Sequence, residues 1–201
     1  TKRGKAGAPV LSYSGYAATE SVSSRVNVLS AAEHTAFVNK YNLVVDPSET
    51  GSDTDWQDEI TRNGFSHNHN LSLTGGSEGT RYNASVNYFN NQGIVKRNNL
   101  ERVIARFGVD QKAFDNRLNL ALNIANSMNN SDHVDYGIFN GAARYLPTSP
   151  IMSGAPTYER YGGYFQVVGR TGYMNPVSML NLRDENRSNN TLLGNFKADL
   201  K

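Results

Sequence analysis

The sequence predicts an all-β protein, an antiparallel segment of a transmembrane β-barrel with short helices in its first long loop. Three observations carry this. Successive segments alternate apolar and polar residues with period two, which puts one side-chain type on each face of a strand and excludes helix there. Their length of about ten residues suits a tilted crossing of a bilayer. Short turns alternate with long polar loops, as in outer-membrane barrels, which have tight turns at one rim and elaborate loops at the other.

The first strand is expected at Val10–Tyr16. A loop of about 17–65 follows and holds two helix signals. Ser30-Ala31-Ala32-Glu33 is a capping box ahead of Phe37, Val38 and Tyr41, because the Ser hydroxyl and Glu carboxylate satisfy free amides at a helix start. Thr54-Asp55-Trp56-Gln57 is a second start, with Asp55 and Asp58 placed favourably against the helix dipole. Trp56 and Phe37 are expected to pack these helices into the loop. The second strand runs through His67–Thr74, with His69, Leu71 and Leu73 opposite Asn70, Ser72 and Thr74. After the turn Gly75–Thr80, the third strand sets Tyr82, Ala84, Val86 and Tyr88 opposite Asn83, Ser85 and Asn87. Tyr82 at one end, and Tyr88 and Phe89 at the other, suit the aromatic girdles of the two water interfaces.

Beyond a connection of about 91–98, Val103, Ala105, Phe107 and Val109 alternate with Arg102, Ile104, Arg106 and Gly108 in the fourth strand. The turn Lys112–Asn116 leads to the fifth, where Leu118, Leu120, Leu122 and Ile124 oppose Asn119, Ala121, Asn123 and Ala125. A loop of about 131–189 precedes the last strand, Leu192–Lys201, which ends without a turn. That unpaired ending reads as an internal piece of a longer chain.

Composition bounds the function. The 201 residues contain no Cys, so disulfides, thiolate metal sites and cysteine nucleophiles are excluded. No apolar run of about 18 residues exists for a transmembrane helix. A net charge of +2 argues against nucleic acid as a partner; Lys2, Arg3 and Lys5, and Arg102 with Arg106, read as linker and lumen-facing polar positions. Asp53, Asp55, Asp58 and Glu59 read as helix-start charge, since Trp56 and Gln57 break the alternate-ligand spacing of a calcium loop. His67 and His69 share a face but lack a third ligand, and His34 and His133 stand in other loops, so no metal is assigned. Gly75–Gly79 lacks the Gly-Lys-Ser/Thr ending of a phosphate loop and leads into a strand. No Gly-x-Ser-x-Gly elbow is present. No catalytic residue and no cofactor is expected.

The loop 131–189 is too long for a plain connector. It carries Tyr145, Tyr158, Tyr161, Tyr164, Phe165 and Tyr173 among Gly162, Gly163, Gly169 and Gly172. Aromatic rings with hydrogen-bonding tips on such a loop suit sugar rings or peptides. The weightier alternative is that the same rings pack this loop against the rest of the protein or a partner.

Four stretches together carry a family resemblance: Thr1–Lys5, then Thr54–Ile60 with His67–Gly76, then Tyr82–Gly93, and finally Asn175-Pro176 followed by Gly194-Asn195-Phe196. In this order they resemble the SusC/RagA type of TonB-dependent outer-membrane transporters, over nearly the whole chain. The resemblance implies that residues 1–7 end a plug domain and 8–201 begin a barrel of 22 strands, of which about six are here. It also implies nutrient import of oligosaccharides or peptides across the bacterial outer membrane, with a SusD-like surface lipoprotein as lid and TonB acting through an N-terminal part outside these residues. Asn70, Ser72, Asn83, Ser85, Asn87, Asn119 and Asn123 are then expected to face the lumen or plug. Leu71, Leu73, Val86, Phe107, Leu120 and Leu122 are expected to face lipid. The competing reading is a secreted, soluble β-sandwich that binds carbohydrate or a cell-surface partner, with two sheets enclosing the same apolar faces.

Overall fold

The structure, a computed structural model, describes residues 6–45, 50–167, 169–170 and 172–200. The basic stretch Thr1–Lys5 lies outside them. Six strands follow one another: β1 (Gly7–Glu20), β2 (Gly64–Gly76), β3 (Thr80–Gln92), β4 (Asn99–Ala113), β5 (Leu118–His133) and β6 (Glu185–Leu200). They form a single antiparallel sheet in chain order. The sheet is open, with β1 and β6 as its edges, and the described residues form no second sheet over either face, as a sandwich requires.

Because consecutive antiparallel strands reverse direction, connections must alternate between the two ends of the sheet. The turns 77–79 and 114–117 therefore share one end, and the segments 21–63, 93–98 and 134–184 share the other. The loops are shorter than expected because the strands, at 13 to 16 residues, outrun the expected ten. The extra residues, such as Asn129–His133 and Glu185–Asn190, are polar but still paired. Pairing satisfies their backbone groups, so a strand continues beyond its apolar stretch.

Among the described residues, the cluster of buried apolar residues lies in the loops. Trp56 and Ile60 come from 21–63, Val95 from 93–98, and Ile138, Ala142, Tyr145, Phe165, Val167, Val177 and Leu180 from 134–184. All three loops thus fold into a single cap. Both expected helices form: α1 (Ala31–Lys40), with the full Ser30/Glu33 capping box, and α2 (Trp56–Ile60), with Asp55 accepting from the amides of Gln57 and Asp58 at 3.0 Å each. Thr54 is not the cap; its hydroxyl donates to Ser149 O at 2.9 Å. Trp56 enters the core, but Phe37 stays exposed and packs on Tyr41 one turn away, ring centroids 4.8 Å apart. The long loop also holds α3 (Gly137–Arg144), α4 (Pro176–Leu182) and a 3-10 helix at Pro156–Tyr161.

At the opposite end, Gly76 has φ of +140° beside the 77–79 turn, and a Cβ there would fall 2.1 Å from Thr80 O and 2.7 Å from Arg81 Cα. Both obstacles are backbone and cannot swing aside. Gly76→Ala in the full-length protein is expected to cost about 1–3 kcal/mol of strain, read as a lower urea midpoint of the folded form. Gly79→Ala, three residues on, where a Cβ would meet only the Ser77 hydroxyl at an ordinary 4.0 Å, is expected to leave that midpoint unchanged.

Candidate functional site

The register decides which side chains share a face, because directly paired residues point the same way. One cross-strand row reads Tyr13, Leu71, Val86, Ala105, Asn126 and Leu192; another reads Leu11, Leu73, Ala84, Phe107, Ile124 and Gly194. The rows between and beside them carry the other face: Ser12, Ser72, Ser85, Arg106, Ala125 and Leu193, then Val10, Thr74, Asn83, Gly108, Asn123 and Asn195. Asn70 pairs with Asn87, and Asn119 with Lys112, also on this second face. All seven amide and hydroxyl residues singled out from the sequence therefore lie together on a polar face. All six residues expected to meet lipid lie together on the opposite, apolar face.

The apolar face is bare. Leu71, Val86 and Phe107 are 47%, 49% and 44% exposed in the middle strands, where a soluble sheet would bury them. Leaving such a side chain in water forgoes about 1.5–3 kcal/mol each. On β5 the belt runs from Leu118 to Met128, about 33 Å along the strand at about 3.3 Å per residue. A tilt of 40–45° projects this to about 25 Å, the height of an outer-membrane apolar band. Asn126 interrupts it, with its Nδ2 donating to Asn190 Oδ1 at 2.7 Å.

Aromatic residues mark both margins of the belt. Tyr82 lies toward the turn end, its ring over Gly75, where a Cβ would meet Tyr82 Oη at 2.7 Å. Toward the loop end Phe65, His67, His69, Tyr13 and Tyr88 form a chain of rings, with centroids 5.1 Å apart for His67 and His69 and 5.7 Å for His67 and Tyr88. The Tyr13 hydroxyl and His69 Nδ1 are hydrogen-bonded at 2.6 Å. Phe89 departs from expectation. Alternation puts it on the polar face, 5.2 Å under the Arg102 guanidinium, so it cannot share a girdle with Tyr88. Among the described residues no three His, Asp or Glu side chains converge as a metal site.

The cap tyrosines divide into two groups. Tyr145 and Phe165 are each 4% exposed. Tyr145 meets Trp56 edge-on and stacks on Tyr173, both at 4.7 Å, and burial raises its pKa well above the ordinary tyrosine value. Tyr158 packs on Phe165 at 5.1 Å. Tyr173 donates its hydroxyl to Arg144 O at 2.9 Å, and Tyr164 Oη accepts from Asn181 Nδ2 at 3.0 Å. Tyr161 lies under Arg160 at 4.7 Å. Tyr158, Tyr161, Tyr164 and Tyr173 keep partly open surface; Tyr145 and Phe165 hold the loop together.

Asn175 organises this loop. It is fully buried; its Oδ1 caps α4 by accepting from Val177 and Ser178, and its Nδ2 donates to Ile151 O and Phe165 O at 2.9 Å each. Gln166 Oε1 accepts its backbone amide at 3.0 Å. An Asn-Pro pair is a helix-start signal, so α4 was available to a closer reading of the sequence; Asn175's two carbonyl partners, ten and 24 residues away, were not. At the rim, Arg25 clamps Asp55 and Asp58 at 3.1 and 2.7 Å. Arg183 binds Asp135 at 2.8 Å and also Glu185. The Gly137 amide, followed by Arg183, holds the Asp135 carboxyl below the usual carboxylate range.

No protein-family model matches the chain. It is 31% identical to the TonB-dependent receptor SusC of Bacteroides thetaiotaomicron over the whole of this chain and 22% of that protein. It is 30% identical to TonB-dependent receptor P26 of Formosa agariphila over 95% of this chain and 19% of that one. The chain therefore spans well under a third of the curated relatives it matches. In fold it resembles the RagAB peptide importer in its closed-closed state, with a TM-score of 0.74 at 15% identity over all of this chain and 27% of that one. A second structure of the RagAB peptide transporter gives a TM-score of 0.72 over the same shares.

Asn175→Ala is expected to destabilise the cap locally by about 2–4 kcal/mol, since it strands several buried partners at about 1–3 kcal/mol each. Hydrogen exchange across 134–184 should accelerate while that of β3 and β4 does not. Protonation adds a second expectation. Asp135's lowered pKa means that its contribution is complete above the ordinary carboxylate range and is lost as pH falls through the lowered value. Exchange at the start of α3 should therefore accelerate only on acidification below about pH 4, and Asp135→Asn should abolish that pH dependence.

Proposed function

We propose, from the premise that this chain belongs to the SusC/RagA type of TonB-dependent receptors, that it forms wall and external loops of an importer that carries nutrients across the bacterial outer membrane. The observation that carries this is the segregation of the sheet into a bare apolar face and an amide-rich polar face by a single register. Lipid covers the first. The second faces the lumen and the plug, with Asn70, Ser72, Asn83, Ser85, Asn87, Asn119 and Asn123 among its residues. Pairing satisfies the backbone along each strand, and in the whole receptor about 22 strands close the barrel, leaving no open edge in the hydrocarbon.

The reading assigns binding and gating, with no covalent step. Oligosaccharides or peptides are the cargo class. The loop cap stands at the outer rim, where Tyr158, Tyr161, Tyr164 and Tyr173 offer flat, partly exposed surfaces to cargo or to a SusD-like lipoprotein lid. Tyr145 and Phe165 contribute by fixing the loop's shape. Cargo binding displaces the plug, and force from TonB opens the path.

Two measurements test this. Leu122→Arg, in mid-belt, is expected to lower the stability of the full-length receptor in lipid vesicles by about 2–4 kcal/mol. Leu120→Arg, nearer the turn end, should cost no more than that, and Asn123→Arg on the other face should cost little. Equal tolerance of all three would overturn the face assignment. Cells carrying the receptor should accumulate labelled oligosaccharide or peptide only with TonB intact; accumulation indifferent to TonB removes the import reading.

A further inference from the structure

Past Met128 the apolar face of the sheet changes character. Two cross-strand rows carry it on toward the loops, Asn90, Glu101 and Asn130, then Gln92, Asn99 and Asp132. These six side chains line one shallow cavity of about 400 Å³, and none of them is apolar or basic. At the turn end of the same face the corresponding row is Thr80, Gln111, Leu120 and Ala198, whose two polar side chains bond each other at 2.5 Å. At the height of the cavity the other face mixes Phe89, Leu100, Arg102 and Arg187. On β5, Asn130 and Asp132 stand two and four residues beyond Met128, about 7 and 13 Å along the strand. A tilt of about 40–45° lifts them about 5 and 10 Å above the belt. That is the level of lipid head groups, which add about 5–8 Å to each side of the hydrocarbon.

Charge decides which head group fits. Every lysine and arginine on the described strands projects from the opposite face. The basic residues bordering the cavity are already committed: Arg62 donates to Gly93 O and Asn99 Oδ1 at 3.0 and 2.9 Å, Arg97 is held by Asp184, and Arg183 by Asp135 and Glu185. The cavity's own charges are the carboxylates of Glu101 and Asp132. A phosphate there meets like charge and, among the described residues, no uncommitted cation. A sugar hydroxyl both donates and accepts, and an amide side chain presents donors and an acceptor together, while a carboxylate accepts on either oxygen. Tyr88 occupies one oxygen of Glu101 at 3.2 Å and Asn99 one oxygen of Asp132 at 3.1 Å, which leaves the second oxygen of each for a ligand.

We propose that this strip seats the uncharged sugar head group of a membrane glycolipid, whose acyl chains lie on the apolar belt below. The proposal rests on the lipid-facing assignment made above. One continuous face supplies both halves of such a ligand: Val103 and Met128, in the row directly beneath Glu101 and Asn130, meet the chains, and the amides and carboxylates meet the sugar. A free sugar reaches only the polar half. The chains confine a glycolipid to the plane of the belt and so raise the effective concentration of its head group at the strip.

The test is native mass spectrometry of the full-length receptor in detergent, offered galactosyl diacylglycerol and phosphatidylglycerol with the same acyl chains. Wild type is expected to retain the galactosyl lipid at least fivefold more than the phosphatidylglycerol. Asn90→Ala/Asn130→Ala should lose that preference, and Glu101→Gln, which keeps the shape of the side chain, should weaken it at least twofold. Asn129→Ala/Asn189→Ala, at the same height on the other face, should keep it. Equal retention of the two lipids by wild type overturns the proposal, as does an undiminished preference in both strip variants. Displacement of the galactosyl lipid by an equimolar amount of methyl galactoside makes the strip a soluble-sugar site, and receptor dimers that the strip variants dissolve assign it to a second copy; either result overturns the glycolipid. A receptor that stays soluble without detergent and retains neither lipid overturns the lipid-facing assignment as well, whereas the other failures leave that assignment standing.

Discussion

Register is the constraint on which the rest of this structure depends. Five antiparallel ladders pair residue with residue from β1 to β6, with one irregularity between Gly7 and Val10. A slip of one residue at any ladder would move a whole strand's apolar set onto the polar face. Pairing does two tasks together. It satisfies backbone groups where hydrocarbon offers no partner, and it assembles two chemically distinct surfaces from strands that each carry only half of either pattern.

The hydrophobic effect then acts in two places by different routes. In the sheet, apolar side chains share one face, and no other described element covers them. In the cap they point inward, around Trp56, Ile60, Tyr145 and Phe165, and polar groups are satisfied by specific contacts such as Trp56 Nε1 to Leu146 O at 2.9 Å and the Asn175 network. One end of the molecule follows the rules of a small water-exposed domain, while the other presents a bare apolar face. The aromatic chain Phe65, His67, His69, Tyr13 and Tyr88 lies where the two regimes meet, as amphipathic rings do at an interface.

Charge obeys the same partition. Strand lysines and arginines keep to the polar face, while salt bridges such as Arg25 with Asp55 and Asp58 stitch the exposed cap. Exposed pairs of that kind are worth little individually, so the cap's cohesion rests on its buried core and on Asn175.

The sequence alone determined the strands, their faces and the alternation of turns and loops, because a period of two is a local property visible in each segment by itself. It also determined α1, whose capping box is written within Ser30–Glu33, and the presence of α2, although its cap is Asp55 and not Thr54. It did not determine the strand ends, since polar residues such as Asn129–Asn130 extend a ladder only when Asn189 and Ser188 stand opposite to pair with them. Phe89 was placed with Tyr88 by proximity, although strict alternation within the same strand already assigned it elsewhere. The cap belonged to tertiary structure: Tyr145 became core and Tyr161 stayed partly open through packing that joins residues 56, 95, 145 and 165, and no local pattern encodes which of several similar aromatic rings will meet.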